Sequence, residues 1–489
     1  MKRRHFLLGA AGALATSACQ FTWLEEIKKT HPNVLMLIVD DLNDWIGAMK
    51  GHPNAKTPNI DRLAKAGTLF TNAHAPAPIC GPSRASVMTG LMPSSTGIYG
   101  HIKDEDIKRA NDKAAQSIFL SEYFREHGYY TAAIGKVFHQ NIAKNSFDDN
   151  GGRVKGFGPH AKKNFKWDDP RTNTDWGAFP AQDKQMPDYD AAKWTAKKLN
   201  EHHDKPFFIA CGFLRPHAPW YVPQKWFDMH PIDSVTLPPY LPNDLNDVPD
   251  IAKQITSHPM MPTTEWAIKN NEYKNIVQSY LASVSFVDSC IGIVLDALDK
   301  SVHANNTAVV LWGDHGYHIG EKEKFAKMTL WERATRTPLI IKPPRNDSSF
   351  KTNQQTSKPV SLLDLYPTLV KMCGLPENKS NQGRNLVPIL KADDIEWQHA
   401  AVTTYGPNNH SVKTERYRYI RYENGAEELY DHSKDPNEWE NLAKSPEYNQ
   451  VKIKLITHLP KENAEWSPKS YYRGNTYFNN KTENAMVKK

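Results

Sequence analysis

Cysteine is scarce in this chain, with five residues among 489, and no cysteine pair has the short spacing of a zinc finger, so a structural zinc site is not predicted. The sequence also has no long basic run and no RNA-binding aromatic motif, which argues against a nucleic-acid partner. It contains neither a repeat of solenoid period nor a low-complexity tract, which excludes repeat architectures. The apolar neighbours of Cys211 and Cys290 indicate core thiols, and with Cys373 we interpret them as such rather than as a disulfide framework.

The composition is that of a globular protein, with 39% hydrophobic residues, enough for a large core and two or three domains. The formal net charge is +7 and the pI is near 8.8. This excess suits an anionic partner, and a polyanionic glycan, nucleic acid or a membrane surface would each fit.

Residues 1–19 have the features of an export signal: a charged start, a short apolar stretch and small residues at the end. The stretch is too short to span a membrane as a stable helix. The pair Arg3-Arg4 before Phe6 resembles a twin-arginine signal, and Ser17-Ala18-Cys19 resembles a bacterial lipoprotein cleavage site. We therefore expect export to the bacterial cell envelope, in the periplasm, and membrane contact only through a lipid anchor on Cys19.

Strand and helix patterns alternate from about residue 33 to residue 375, which predicts an α/β fold with a large, mostly parallel sheet sandwiched by helices. We assign residues 24–375 to a catalytic domain. Residues 376–489 form a smaller α+β domain with an antiparallel sheet, because 417–422 alternates and Asn424-Gly425 is a hairpin signal. Helices are predicted over 57–66, closed by Gly67, over 115–127, over 273–299 as a packing element, and near the C-terminus.

Charged residues follow several of the predicted strands. The strands end in Asp40-Asp41, in Lys136 with His139, before His217, and in Asp314-His315. Ligands collect beyond the carboxyl ends of parallel strands, so these positions suit a site. For the two aspartates a solvated turn is the alternative to a Ca²⁺ or Mg²⁺ site, and a lysine or histidine there is often a surface residue.

The segment from residue 140 to residue 187 is too long for a simple connection and is rich in Asn, Asp, Gly, Lys and Trp. Loops of this length are commonly lids or binding loops. Trp167 and Trp176 are therefore candidate sugar contacts, with a disordered excursion as the competing interpretation.

The motif Cys80-Gly81-Pro82-Ser83-Arg84, followed by Thr89-Gly90, predicts a turn that leads into a helix with Cys80 at its N-terminus. Backbone N–H groups at that end favour an anion, and Arg84 lies one turn further on. For the cysteine alone, burial as a small apolar residue is the simpler explanation.

Cys-x-Pro-Ser-Arg with Thr-Gly behind it resembles the signature of type I sulfatases, in the alkaline phosphatase superfamily. The resemblance extends over nearly the whole chain and is nearest to iduronate-2-sulfatase-like enzymes. The further motifs that carry it are Gly135-Lys136-Val137-Phe138-His139, Pro216-His217, Gly313-Asp314-His315-Gly316, Lys327, Tyr417-Arg418-Tyr419-Ile420 and Glu428-Leu429-Tyr430-Asp431.

The resemblance implies a role for each matching residue. Cys80 is implied to become formylglycine, made by a maturation enzyme, and to be both nucleophile and calcium ligand. The other implied ligands of one Ca²⁺ are Asp40, Asp41, Asp314 and His315. Arg84, Lys136 and Lys327 are implied to hold the aldehyde hydrate and the sulfate, with His139 as base and His217 as acid.

Three functions follow from these observations. The first is an exported sulfatase that hydrolyses a sulfated oligosaccharide derived from a polysaccharide. The second is a phosphonate or phosphodiester hydrolase of the same superfamily. The third is a lipid-anchored protein that binds sulfated glycans without turnover. The fold alone does not select the sugar.

Overall fold

The computed structural model describes residues 31–140, 142–153, 156–169, 171–392, 394–472 and 475–479. The predicted export signal and Cys19 lie outside the described residues. The strands are β1 (Asn33–Val39), β2 (Thr68–Phe70), β3 (Ala73–His74), β4 (His101–Ile102), β5 (Tyr130–Gly135), β6 (Asp149–Asn150), β7 (Trp176–Ala178), β8 (Phe207–Phe213), β9 (Trp220–Val222), β10 (Thr307–Gly313), β11 (Leu339–Lys342), β12 (Gln354–Thr356), β13 (Val360–Ser361), β14 (Ala401–Thr404), β15 (His410–Lys413), β16 (Tyr417–Arg421), β17 (Glu427–Asp431) and β18 (Ser470–Tyr472). The helices are α1 (Pro58–Lys65), α2 (Cys80–Thr89), α3 (Pro93–Thr96), α4 (Asp112–Ala115), α5 (Leu120–Glu126), α6 (Pro187–Leu199), α7 (Gln224–Asp228), α8 (Asp250–Ile255), α9 (Thr264–Lys269), α10 (Tyr273–Lys300), α11 (Glu332–Thr335), α12 (Leu365–Met372), α13 (Val387–Lys391) and α14 (Asn449–Ile456).

An eight-stranded sheet in the order β12-β2-β11-β10-β1-β8-β5-β6 forms the centre of the larger part. Its middle is parallel, as the sequence predicts: β1 pairs with β10 and β8, and β8 pairs with β5. The sheet as a whole is mixed, because β11 runs antiparallel to both β10 and β2. The carboxyl ends of the parallel strands therefore meet at one edge.

The central strand β1 is buried on both faces, and its side chains alternate between two cores. Those at positions 35, 37 and 39 pack with α1, α6 and α10 on one side of the sheet. Those at 34, 36 and 38 pack with α2, α5 and α12 on the other. The predicted sandwich of helices around the sheet is confirmed, and burial on both faces explains why this strand reads as one continuous apolar run.

The helix α10 is confirmed as a packing element. It is the one helix in the described part of the chain that is long and apolar enough to cross a membrane, but 78% of its most apolar window is buried inside the protein. Ile276, Tyr280 and Val284 are among its fully buried side chains. The stripe of apolar residues therefore serves the core of the α/β part.

The C-terminal part contains the predicted antiparallel sheet, in the order β14-β15-β16-β17. Its last hairpin turns at Asn424-Gly425, where Gly425 has a φ of 85°. The predicted C-terminal helix is α14, but the chain does not end there. It returns to the larger part, where β18 pairs antiparallel with β4.

Two local predictions were wrong in detail. The helix predicted over 115–127 is broken between α4 and α5, because the Ser117 hydroxyl bonds to the Ala114 carbonyl at 2.7 Å and competes with the helix ladder. The Phe119 N–H then donates to Glu122 Oε2 at 2.9 Å, which starts a new helix. Gly67 does not close α1, because the residue that caps this helix is Ala66, in the right-handed helical conformation. Glycine is needed at position 67 for space, since a Cβ there would lie 2.4 Å from the Ile341 carbonyl oxygen.

Candidate active site

The charged residues that follow the parallel strands lie together at one edge of the sheet. Asp40 and Asp41 follow β1, Asp314 and His315 follow β10, and Lys136 follows β5. Because these strands are parallel and adjacent or nearly so, their ends converge as the sequence predicts. Two further groups reach the same place: His217 comes from the segment after β8, and Lys327 comes from a loop after β10.

Arg84 is the centre of a fully buried ionic network. Its Nε donates to Asp314 Oδ2 at 2.8 Å and its Nη2 lies 3.3 Å from Asp40 Oδ1. Its Nη1 donates to the Lys136 carbonyl oxygen. The Lys136 ammonium lies 2.5 Å from Asp40 Oδ2. The helix α2 therefore carries both Cys80 and the guanidinium that joins the ends of three strands.

Cys80 begins α2 and is 1% exposed. Its Sγ lies 3.2 Å from His315 Nε2, 3.3 Å from Lys327 Nζ and 3.9 Å from Asp41 Oδ1. Burial raises the pKa of the Cys80 thiol well above its usual range. A thiolate nucleophile is therefore disfavoured at this position.

A set of donor atoms suited to a cation surrounds this sulfur. Ligand atoms of Asp40, Asp41, Cys80 and His315 lie within 4.8 Å of one another, and ligands about 2.3–2.6 Å from Ca²⁺ lie up to roughly 5 Å apart. Asp41 Oδ2 is buried and has no hydrogen-bond partner among the described residues. Asp314 Oδ1 lies 3.6 Å from His315 Nε2 and accepts the Asp41 N–H at 3.1 Å. The donor set is rich in carboxylate, which suits a hard divalent cation.

Three carboxylates and three permanent cations are balanced in this site. Asp40 is paired with Arg84 and Lys136, and Asp41 is paired with Lys327. Burial would raise the pKa of Asp40, but Lys136 and the other nearby cations outweigh it and hold that pKa well below its usual range. Burial raises the pKa of Asp41. Lys327 acts to lower this pKa and the negative charge of Asp40 acts to raise it, and the net change is upward. A divalent cation would therefore stabilise the ionised form of Asp41.

The two predicted proton-transfer histidines lie on different sides of the site. His217 Nε2 is 3.9 Å from Asp41 Oδ2, and its Nδ1 bonds the Ala218 carbonyl. Burial and Lys327 lower the pKa of His217 well below its usual range. Burial also lowers the pKa of His139, and His101 and Lys136 add to this effect. Both imidazoles are therefore neutral in the protein as described.

Sequence analysis missed His101, because a lone histidine in a two-residue strand has no spacing signal. The rings of His101 and His139 stack with their centroids 3.7 Å apart and their planes at 7°. A Cβ at Gly81 would lie 2.7 Å from His101 Nδ1. The glycine after Cys80 therefore lets this histidine pair approach the start of α2.

Of the two tryptophans proposed for sugar contact, Trp176 is misassigned. It is 4% exposed and belongs to the core, where its Nε1 donates to Glu272 Oε2 at 3.1 Å. Its ring lies 4.4 Å from that of Phe165, measured between centroids. Trp167 is half-buried and lines a cleft beside the site.

Comparison with known proteins agrees with this arrangement. A family model described as Sulfatase matches residues 32–375, and a model described as N-sulphoglucosamine sulphohydrolase, C-terminal, matches residues 320–465. A protein named Sulfatase from Formosa agariphila is 47% identical over 98% of this chain and 96% of its own length. Human iduronate 2-sulfatase is 30% identical over 74% of this chain and 75% of its own length.

A solved structure shows the same fold at lower identity. The phosphonate monoester hydrolase of Agrobacterium radiobacter is 20% identical, with a TM-score of 0.71 over 88% of this chain and 96% of that one. This likeness concerns the fold alone. The family match, in contrast, covers most of the described chain and includes every element that contributes to the site. The chain belongs to the sulfatase family and is a sulfuric ester hydrolase.

Proposed function

We propose that this sulfatase removes sulfate from a saccharide derived from a sulfated polysaccharide, with Cys80 converted to formylglycine and one Ca²⁺ bound at the neighbouring carboxylates. The observation that carries the proposal is the contact of Cys80 Sγ with both Lys327 Nζ and His315 Nε2 inside a buried, charge-balanced site. The iduronate 2-sulfatases among the relatives act, by their name, on a sulfated sugar acid, which supports a saccharide substrate.

The environment of Cys80 supports modification rather than thiol chemistry. Burial raises the pKa of the thiol, so an unmodified Cys80 is a poor nucleophile at neutral pH. A formylglycine hydrate supplies one hydroxyl for attack at sulfur and a second whose deprotonation releases sulfate. Because Cys80 is 1% exposed in the folded chain, a maturation enzyme must reach it before this segment folds.

The residues around Cys80 fit the requirements of a sulfate ester. Three cations, those of Arg84, Lys136 and Lys327, act on Cys80. They would offset the charge that develops on the sulfate oxygens. Asp40, Asp41, residue 80, Asp314 and His315 would hold the Ca²⁺, which would supply Lewis-acid polarisation of a sulfate oxygen. The orphaned Asp41 Oδ2 is the structural observation that fits this ion.

The histidines divide the proton transfers. His139 would accept a proton from residue 80, as the resemblance implies, and its ring lies beside Gly81, the residue that follows Cys80. Burial lowers the pKa of His139 in the free protein, and the negative charge of sulfated residue 80 would raise it. His217 lies on the Asp41 side of the site and would donate a proton to the leaving sugar oxygen. The negative charge of a bound sulfate ester favours protonation of His217, which the nearby Lys327 opposes in the free protein.

The proposal is tested with protein produced together with a formylglycine-generating enzyme. We expect the tryptic peptide containing Cys80 to have the mass and carbonyl reactivity of formylglycine, and the protein to release sulfate from a sulfated saccharide. Addition of Ca²⁺ to chelator-treated protein should raise the midpoint of thermal unfolding.

The same preparation separates the alternatives. Faster hydrolysis of a phosphate or phosphonate ester than of the sulfate ester of the same phenol would favour a phosphonate or phosphodiester hydrolase. Glycan binding without turnover, unaffected by replacement of Cys80, would favour a non-catalytic glycan-binding protein. Release of sulfate by protein with an unmodified thiol would refute the role of formylglycine.

We also propose that the protein is exported to the periplasm, since residues 1–19 have the pattern of an export signal. A twin-arginine signal would carry the folded and already modified protein. Fractionation of producing cells tests the location. Metabolic labelling with a fatty acid tests the lipid anchor, which Cys19→Ser should abolish.

A further inference from the structure

A cleft of about 430 Å³ lies beside the loop that carries Lys327. Its walls come from three parts of the chain. These are residues 167–169 and 171–172 of the long segment 140–187, residues from the segment 256–266, and the loop 323–326. These residues are distinct from those that surround Cys80. The cleft is large enough for a sugar ring and opens to solvent, as binding clefts do.

One wall of the cleft is aromatic. Trp167 and Trp266 are both half-buried, with ring centroids 4.8 Å apart and planes at 57°. Trp167 Nε1 donates to the Thr174 carbonyl at 3.0 Å, which satisfies the polar edge of the indole and fixes its orientation. The C–H face of a sugar ring packs well against such a rigid aromatic surface.

The loop 323–326 contributes Lys324 to the lining of the cleft. Its ammonium forms no ion pair in the described part of the chain, and burial lowers its pKa to about 8. Arg171, the other cation of the lining, is already paired with Asp169 at 2.7 Å. The neighbouring carboxylate Glu323 accepts a hydrogen bond from the Tyr240 hydroxyl. Lys324 is therefore the cation of this wall that is available to an anionic group.

His258 lies within the influence of cations from both the cleft and the catalytic centre. His258 lines the cleft, and its Nδ1 accepts the Met260 N–H at 3.3 Å. Burial lowers the pKa of His258 to about 4, and the charged groups among the described residues that lower it further are Lys327, Lys324 and Arg171. Cations of both the cleft and the catalytic centre therefore act on the same imidazole.

The cleft and the nucleophile are held at a fixed separation. Lys324 precedes Lys327 by three residues, so their Cα atoms are at most about 11 Å apart. The Met328 N–H donates at 2.9 Å to the carbonyl of Pro78, two residues before Cys80. The His318 N–H donates to the Ala326 carbonyl at 2.9 Å and closes the base of the loop. The separation between Lys324 and Lys327 is therefore no more than about the length of a short saccharide.

We propose that this cleft is a subsite for a second sugar ring, which packs on Trp167 and Trp266 and presents a carboxylate or sulfate group to Lys324. The inference rests on the proposed sulfatase activity on saccharides. It makes the preferred substrate an anionic disaccharide or longer oligosaccharide rather than a sulfated monosaccharide. Lys324 then determines the preference for the anionic disaccharide, through the binding of the saccharide.

The test compares Lys324→Ala, Lys324→Arg and the matched control Lys269→Ala. Lys269 is an exposed lysine on α9, the helix that also carries Trp266, but it does not line the cleft. The probes are 4-nitrophenyl sulfate and sulfated monosaccharides and disaccharides prepared from heparin, chondroitin sulfate and ulvan. Thermal unfolding of each variant shows whether it is folded.

We expect the ratio of kcat/KM for the best disaccharide over that for 4-nitrophenyl sulfate to fall about tenfold or more in Lys324→Ala, through KM. Lys324→Arg should restore most of the ratio and Lys269→Ala should leave it unchanged. An unchanged ratio in folded Lys324→Ala, or a wild-type protein that cleaves the aryl sulfate but prefers no disaccharide over its monosaccharide, would overturn the subsite. If the wild type releases sulfate from none of the probes, the proposed function itself is refuted.

Discussion

Gly212 in β8 lies against the backbone of Lys136, and we predict that Gly212→Ala disrupts the active site. A Cβ at this position would lie 2.1 Å from both the carbonyl carbon and the carbonyl oxygen of Lys136, and 2.7 Å from its nitrogen. Ordinary van der Waals contact begins at 3.4 Å, so the overlap exceeds about 1 Å and involves backbone atoms, which cannot rotate away.

Lys136 cannot move without consequences. Its N–H donates to the Gly212 carbonyl at 2.9 Å, its own carbonyl accepts from Arg84, and its ammonium pairs with Asp40. Overpacking costs about 1–3 kcal/mol, and loss of the backbone hydrogen bond adds about 1 kcal/mol. We therefore expect the free energy of unfolding to fall by about 2–4 kcal/mol. A shift of about 1 Å in a positioning group can also cost roughly a hundredfold in kcat/KM.

Urea unfolding and kcat/KM on 4-nitrophenyl sulfate measure the two effects. The matched control is Gly292→Ala on α10, where the added Cβ would meet the side chain of Asn59 at 2.7 Å, away from the strand ends. The control should change stability with little effect on turnover. Wild-type activity and stability in Gly212→Ala would refute the argument that this close approach positions Lys136.

Three further predictions follow from buried groups. Cys80→Ala should fold normally and lower sulfate release by more than about a thousandfold, and residual turnover near that of the wild type would exclude a nucleophile at this position. Asp40→Asn should lower the free energy of unfolding by about 3–5 kcal/mol, since it leaves the buried Lys136 and Arg84 without their shared carboxylate; a loss below about 1 kcal/mol in urea unfolding would contradict this. Burial raises the pKa of Asp288 from 3.8 to about 6, so its contribution to stability is greatest below about pH 4 and is lost as the pH rises through about 6. The unfolding free energy of the wild type minus that of Asp288→Asn should therefore fall by about 3 kcal/mol between about pH 4 and pH 8, and a difference independent of pH would show that the pKa is not raised.

Much of the α/β part could be predicted because its signals are local. The run Asn33–Val39 is apolar throughout since β1 is buried on both faces, and the charged pair Asp40-Asp41 marks where it ends. The parallel topology then brings the residues after β1, β5, β8 and β10 to one edge. The break between α4 and α5 was missed, because a serine hydroxyl in competition with the helix ladder leaves the overall apolar pattern intact.

The sequence by itself therefore determined the strand-end residues, the cysteine-headed helix and the hairpin of the C-terminal sheet, since each depends on neighbours in the chain. Only the tertiary structure decided which of them touch. In the folded protein His101 stacks on His139, and the Gly212 backbone lies against that of Lys136. Trp176 is buried, and β18 pairs with β4. These contacts join segments far apart in the chain, and their geometry is set by the packing of the whole core rather than by any local pattern of residues.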